Sequence, residues 1–218
     1  MIRLGLCCKF HEAPIAFKTT TATALSRLGP AARLARLSAL CRTNAEALRA
    51  ALDFCAAHDI GSFRVNSQIL PIRTHPTLGY AVAELPDADA IVDAFRACGD
   101  VARRRGLRLT FHPDQFILLS SPSADITRQS LADLAYHAEV AGWIGADVIN
   151  IHAGGAYGDK PATLARLADA LRALPPAIRS RLTLENDDRT YTPADLLPLC
   201  RATGTPFVYD VHHHRCRP

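Results

Sequence analysis

Short apolar, β-branched-rich runs recur along the chain at residues 2–6 (IRLGL), 62–65 (SFRV), 107–111 (LRLTF), 147–151 (DVINI), 182–184 (LTL) and 206–209 (PFVY). Bounded runs of this length read as strands. Between them lie longer stretches in which apolar residues return every three or four positions, at 31–59, 87–106, 124–145, 161–176 and 192–204. That spacing predicts helices, and several of these stretches open on Asp, Thr or Pro and close on Gly or Pro. Six strands alternate with five helices, which predicts a parallel sheet, either open and doubly wound or closed as a barrel. No G-x-G-x-x-G or G-x-x-x-x-G-K-[ST] follows a strand, so the nucleotide-binding open sheets lose their best support. The expected fold is α/β, a TIM-type (β/α) barrel. Eight units need about 250 residues, and about six strand–helix units already fill the 218 present. The expectation is one domain over 1–218 with the last two barrel units missing.

Composition narrows the class little. Apolar residues make up 49% and charged residues 21%, as in soluble globular proteins. No apolar run reaches the ~20 residues of a membrane span, and the apolar start is too short for a signal peptide; the expected location is cytoplasmic. Seven cysteines without a C-x-x-C pair fit neither a zinc ribbon nor a disulfide framework. The net charge of +4 admits a nucleic-acid partner without requiring one.

Position is more informative than composition. The third strand runs into His112 (LRLTFHPDQF), the fourth into His152 (DVINIHAGGAYGDK), the fifth into Glu185 (LTLENDD) and the sixth into Asp210 (PFVYDVHHH). In a parallel barrel, strand C-terminal ends share the face that carries the active site. Singly, such residues are often hydrogen-bonded histidines or helix caps. Four in succession predict a shared cation, because unpaired polar groups are costly to bury. Two imidazoles and two carboxylates suit zinc, manganese or iron better than calcium. His75, in VNSQILPIRTHP, is read as a ligand, a substrate contact or a solvated loop histidine. The terminal His212–His214 run follows a strand and an acid too closely for a tag; His213 or His214 is expected to reach a metal from a loop, with His212 pointing elsewhere.

The stretches FHPDQF, NIHAGGAYGDK, LENDDR, YDVHHH and FRVNSQILPIRTHP together resemble the UV damage endonuclease family, in order along essentially the whole chain. The resemblance implies a TIM-barrel DNA repair enzyme that incises double-stranded DNA immediately 5′ to UV photoproducts and some other lesions. It implies up to three divalent ions, manganese foremost, with zinc or magnesium as alternatives. His112, His152 and Glu185 would hold one ion, Glu185 and Asp210 a second, and His213 would belong to a third; His112, His152, Glu185 and Asp210 would form the catalytic set. Gln115 and Phe116 match a pair that wedges into the duplex, and His75, Asn66 and Lys18 are the further expected DNA contacts. A monomer is expected, nucleoid-associated if bacterial. Some family members carry Tyr where this chain has Phe116, the start matches only loosely, and the family completes its second and third metal sites after the sixth strand with a His, a modified Lys and a Glu. The competing readings are a metal-dependent sugar isomerase or epimerase on the same barrel, and an inactive truncated form.

Overall fold

The computed structural model describes residues 2–218. Contacts divide them into two units, one of residues 2–111 and 139–147, the other of His112–Ala138 and Val148–Pro218.

In the first unit, β1 (Gly5–Leu6), β2 (Ser62–Val65) and β3 (Arg108–Phe111) pair in parallel, with Leu6 opposite Phe63 and Phe63 opposite Leu109. Two helices, α1 (Ala22–Ser26) and α2 (Pro30–Ala57), follow β1, and α3 (Ala88–Arg104) follows β2. Pro30 occupies the first helical position of α2, where its missing N–H has no bond to lose. From Leu37 to Cys55 the buried residues of α2 recur at helical spacing, and that stripe packs on α3.

In the second unit, β4 (Val148–His152), β5 (Leu182–Glu185) and β6 (Phe207–Val208) also pair in parallel. The long α4 (Ala124–Ile144) contributes its first part to this unit and its last residues to the first. The unit further holds α5 (Lys160–Ala173), α6 (Pro176–Arg179), α7 (Pro193–Thr203) and α8 (Val211–Cys216). Among the described residues, no helix is long and apolar enough to cross a membrane.

All six expected strands and five expected long helices are present, and the differences lie at ends and in single turns. The first strand shrinks to Gly5–Leu6, and Ile2, expected within it, is fully exposed. The sixth is Phe207–Val208 only. The short helices α1, α6 and α8 were not expected, because one turn carries too few positions to display a period. For α8 this corrects the histidine run from loop to helix: Asp210 caps it, its side chain accepting the N–H of His213.

Asn44, on α2 and 0% exposed, organises the loops of the first unit. Its Oδ1 accepts the Lys18 N–H at 2.7 Å, while its Nδ2 donates to the carbonyls of Lys18 at 2.9 Å and Ile69 at 2.8 Å. One buried amide thereby fixes the segments that carry Lys18 and follow Asn66. Asn44→Leu strands one donor and two acceptors at a cost of about 1–3 kcal/mol each. Urea unfolding should show a loss of at least ~2 kcal/mol, and an unchanged midpoint would refute the assignment.

Candidate metal centre

Register brings the polar residues of β4 and β5 side by side. Asn150 lies opposite Thr183, and His152 opposite Glu185. Residues two apart on a strand share a face, so these four form two rungs of one polar ladder. Glu185 is 5% exposed, a costly place for a carboxylate unless it is hydrogen-bonded and neutralised. Its Oε2 accepts from Asn150 Nδ2 at 2.6 Å, and Asn150 in turn accepts from the Thr183 hydroxyl at 2.7 Å.

His112 follows β3 directly, and its Nε2 stands 2.8 Å from Glu185 Oε2. Its Nδ1 lies 3.2 Å from the Pro113 carbonyl, to which it donates. A neutral ring in that tautomer would set two lone pairs against each other, so a proton or a cation belongs between Nε2 and the carboxylate. His152 Nε2 is 3.8 Å from the same oxygen, and its buried Nδ1 has no partner among the described residues. Burial holds the His152 pKa below its ordinary 6.5; the His112 and His213 rings act in the same direction, against the pull of Glu185 and Asp187. Neutral imidazole is the form that ligates metals.

A second group shares the same carboxylate. Glu185, Asp210 and His213 have ligand atoms within 4.8 Å of one another, as do His112, His152 and Glu185. Asn186, fully buried, builds this side: its side chain accepts the Asp210 N–H at 2.9 Å and donates to the Asp210 carbonyl at 3.0 Å. The Asn186 carbonyl accepts His213 Nδ1–H at 2.8 Å, which leaves Nε2 of His213 with its lone pair, as a ligand requires. Partial burial pushes the Asp210 carboxyl upward, but the His213 N–H and ring and the His212 N–H outweigh it and hold it below the usual range. The donor set and the Nδ1 hydrogen bonds of His112 and His213 fit divalent cations.

Beside these ligands runs a groove of about 400 Å³, lined by Gln115, His152, Gly154, Gly155, Arg189 and His213 among others. Gly154 has φ of 88°, a backbone conformation that favours glycine, and a Cβ there would lie 2.9 Å from Leu118 Cδ2. Ser120 Oγ donates to the Ala153 carbonyl, and Arg166 to that of Ser120. These bonds hold the loop carrying Gln115 and Phe116. Phe116 is 73% exposed. On the other wall, Asp187 accepts the N–H groups of Arg189, Thr190 and Tyr191. Tyr191, fully buried, donates its hydroxyl to the Gly155 carbonyl at 3.2 Å.

The structure therefore brings together His112, His152, Glu185, Asp210 and His213, with Gln115 on the adjoining groove. His214 belongs to neither ligand group, and His212 lies 4.0 Å from Cys216 Sγ. His75, Asn66 and Lys18 fall in the first unit, outside both groups. Asn66 Oδ1 accepts the Gln68 N–H. His75 Nδ1 accepts from the N–H groups of Thr77 and Leu78, so the neutral ring carries its proton on Nε2 and presents a donor there. Sequence reasoning missed Asn150, Asn186, Asp187 and Tyr191, although three of them stand next to or two residues from a ligand. For Asn150 the signal was strand alternation, which places it on the His152 side.

The family model described as UV-endonuclease UvdE matches residues 2–218. The UV DNA damage endonuclease of Bacillus cereus (strain Q1) is 38% identical over 200 residues, 90% of this chain. The chain spans 62% of that relative's length. Among solved structures, SacUVDE superposes with a TM-score of 0.87 at 28% identity, covering 99% of this chain and 71% of its own. Endonuclease IV from Thermus thermophilus superposes at 0.55 with 21% identity over 78% of this chain and 60% of its own, a likeness of fold alone. The strands and helices accordingly belong to the TIM-type (β/α) barrel class, and the chain belongs to the UV-endonuclease UvdE family.

Proposed function

We propose that this chain carries the metal-dependent site of a DNA repair endonuclease that incises lesion-bearing double-stranded DNA 5′ to UV photoproducts. The observation that carries the reading is one buried carboxylate, Glu185, shared by two groups of metal-ligand side chains. His112, His152 and Glu185 would hold one divalent cation, and Glu185 and Asp210 with His213 another; manganese suits this mixed nitrogen and oxygen set. Cations bound there would polarise a phosphodiester and lower the pKa of water. Asn150 and Asn186 orient Glu185, Asp210 and His213. Gln115, which lines the groove, and the exposed ring of Phe116 next to it would enter a distorted duplex, where inserted apolar side chains unstack base steps. The Nε2–H of His75, with Asn66 and Lys18, suits phosphate oxygens. A nucleoid-associated monomer fits this reading.

Nicking of UV-irradiated plasmid in the presence of manganese tests it. Wild type should cut irradiated plasmid well above undamaged plasmid, and Glu185→Ala should lose both cutting and the rise in melting temperature that manganese confers on a folded site. Equal cutting of both plasmids would defeat the lesion assignment, and a manganese shift retained in Glu185→Ala would defeat the metal site.

The lowered pKa of His152 has a sign that can be checked without substrate. The unfolded imidazole takes up its proton near 6.5, whereas the buried one resists. The metal-free protein should then be most favoured above 6.5 and lose stability as pH falls below it towards the folded value. His152→Asn should flatten that part of the melting-temperature profile; an unchanged slope would be the contrary result.

The groove residues separate this reading from a sugar isomerase on the same barrel. Replacing both Gln115 and Phe116 by Ala should leave the manganese-induced stabilisation intact and cut incision by at least about tenfold, as loss of stacked aromatic contacts to bases does. Full incision by the double variant would exclude a wedge.

A further inference from the structure

Ala156 to Asp159 form a tight turn that contradicts its own sequence. The Asp159 N–H donates to the Ala156 carbonyl at 3.0 Å, and both central residues have positive φ, Tyr157 at 49° and Gly158 at 81°. Turns of this kind favour Asn, Asp or Gly at the first central position, and a bulky side chain at positive φ is strained. Core packing does not explain the tyrosine, since Tyr157 is 42% exposed.

The ring has a definite place nonetheless. A Cβ built on Gly155 would meet Tyr157 Cζ at 3.7 Å, so the outer end of the ring lies over Gly155. Gly155 lines the groove that also exposes His152 and His213, and its carbonyl is anchored from beneath by the Tyr191 hydroxyl. Strain retained at a groove rim, with an aromatic face left in solvent, is the pattern expected of a ligand contact rather than of a folding device.

We propose that Tyr157 is a specificity-determining contact for the nucleic acid, an aromatic platform on which a base displaced from the duplex stacks beside the metal centre. This rests on the DNA reading above. Stacking on an aromatic ring is indifferent to base identity, so the platform would favour unpaired or poorly stacked bases over any sequence. The Asp187 turn and the Tyr191 bond to Gly155 hold the walls in place.

Binding of fluorescein-labelled duplexes in EDTA, where nothing is cut, tests this. One duplex carries a single UV photoproduct and the other is undamaged. Tyr157→Asn relieves the turn, so its melting temperature should equal or exceed that of wild type, while its affinity for the photoproduct duplex falls about tenfold and that for the undamaged duplex barely changes. Tyr157→Phe should keep wild-type binding. A Tyr157→Asn variant that binds the photoproduct duplex as wild type does, loses both duplexes equally, or melts earlier than wild type would overturn the assignment. Wild type that does not prefer the photoproduct duplex would sink the lesion reading and this inference together, and that result is read before any variant is made.

Discussion

A carboxylate 5% exposed at the end of a central strand dominates the energetics of this site. Glu185 cannot be left charged and unpaired there, since several kcal/mol of solvation would be lost. The surrounding residues answer that constraint one by one. Asn150 gives a hydrogen bond, His112 sets a ring nitrogen 2.8 Å away, and Asp210 and His213 approach from the cap and first turn of α8. Adding a second carboxylate to a buried first would worsen matters in the absence of positive charge. Positive charge among these groups, from protons or from cations, relieves that repulsion.

Tautomers carry the same logic outward. Where a histidine ring donates through Nδ1 to a main-chain carbonyl, as His213 does to Asn186 and His112 to Pro113, the other nitrogen of the neutral ring is left to accept. The carbonyls sit at fixed places because strand ends fix them: Asn186 immediately follows Glu185, and its amide reads both the N–H and the carbonyl of Asp210. His75 shows the opposite arrangement, with Nδ1 accepting main-chain N–H groups. One residue type thus has two chemistries, ligand and donor, assigned by the backbone groups it meets.

How much of this was legible in the sequence follows from the same distinction. Strand ends were legible, because apolar runs stop at His112, His152, Glu185 and Asp210, and a parallel α/β order brings such ends together. Single-turn helices were not, and so the histidine run at 212–214 was expected in a loop; the cap that makes it a helix depends on Asp210 bonding the His213 N–H, which composition does not reveal. Asn150 was within reach of reasoning from alternation, whereas Asn186 follows the end of β5 and had only its place next to Glu185 to mark it. Tyr191 was invisible, since its hydroxyl bond spans 36 residues to Gly155. Lys18, Asn66 and His75 lie on loops whose course no periodicity sets.

The division of labour between strands and loops explains why rigidity and strain occur where they do. The five ligand candidates sit on or within a few residues of strand ends, where ladder hydrogen bonds hold side chains to the tolerance that a coordination sphere demands. Two of the exposed aromatics, Phe116 and Tyr157, sit on loops, which can vary without disturbing that sphere. Those loops are not loose, however. Ser120, Arg166, Asp187 and Tyr191 tie them to the strand ends by hydrogen bonds to main-chain carbonyls or N–H groups. A ring presented from such a tethered turn loses little further freedom when a base stacks on it, which reduces the entropic cost of binding. That saving is the physical reason a strained tyrosine serves a groove rim better than a relaxed one on a mobile loop.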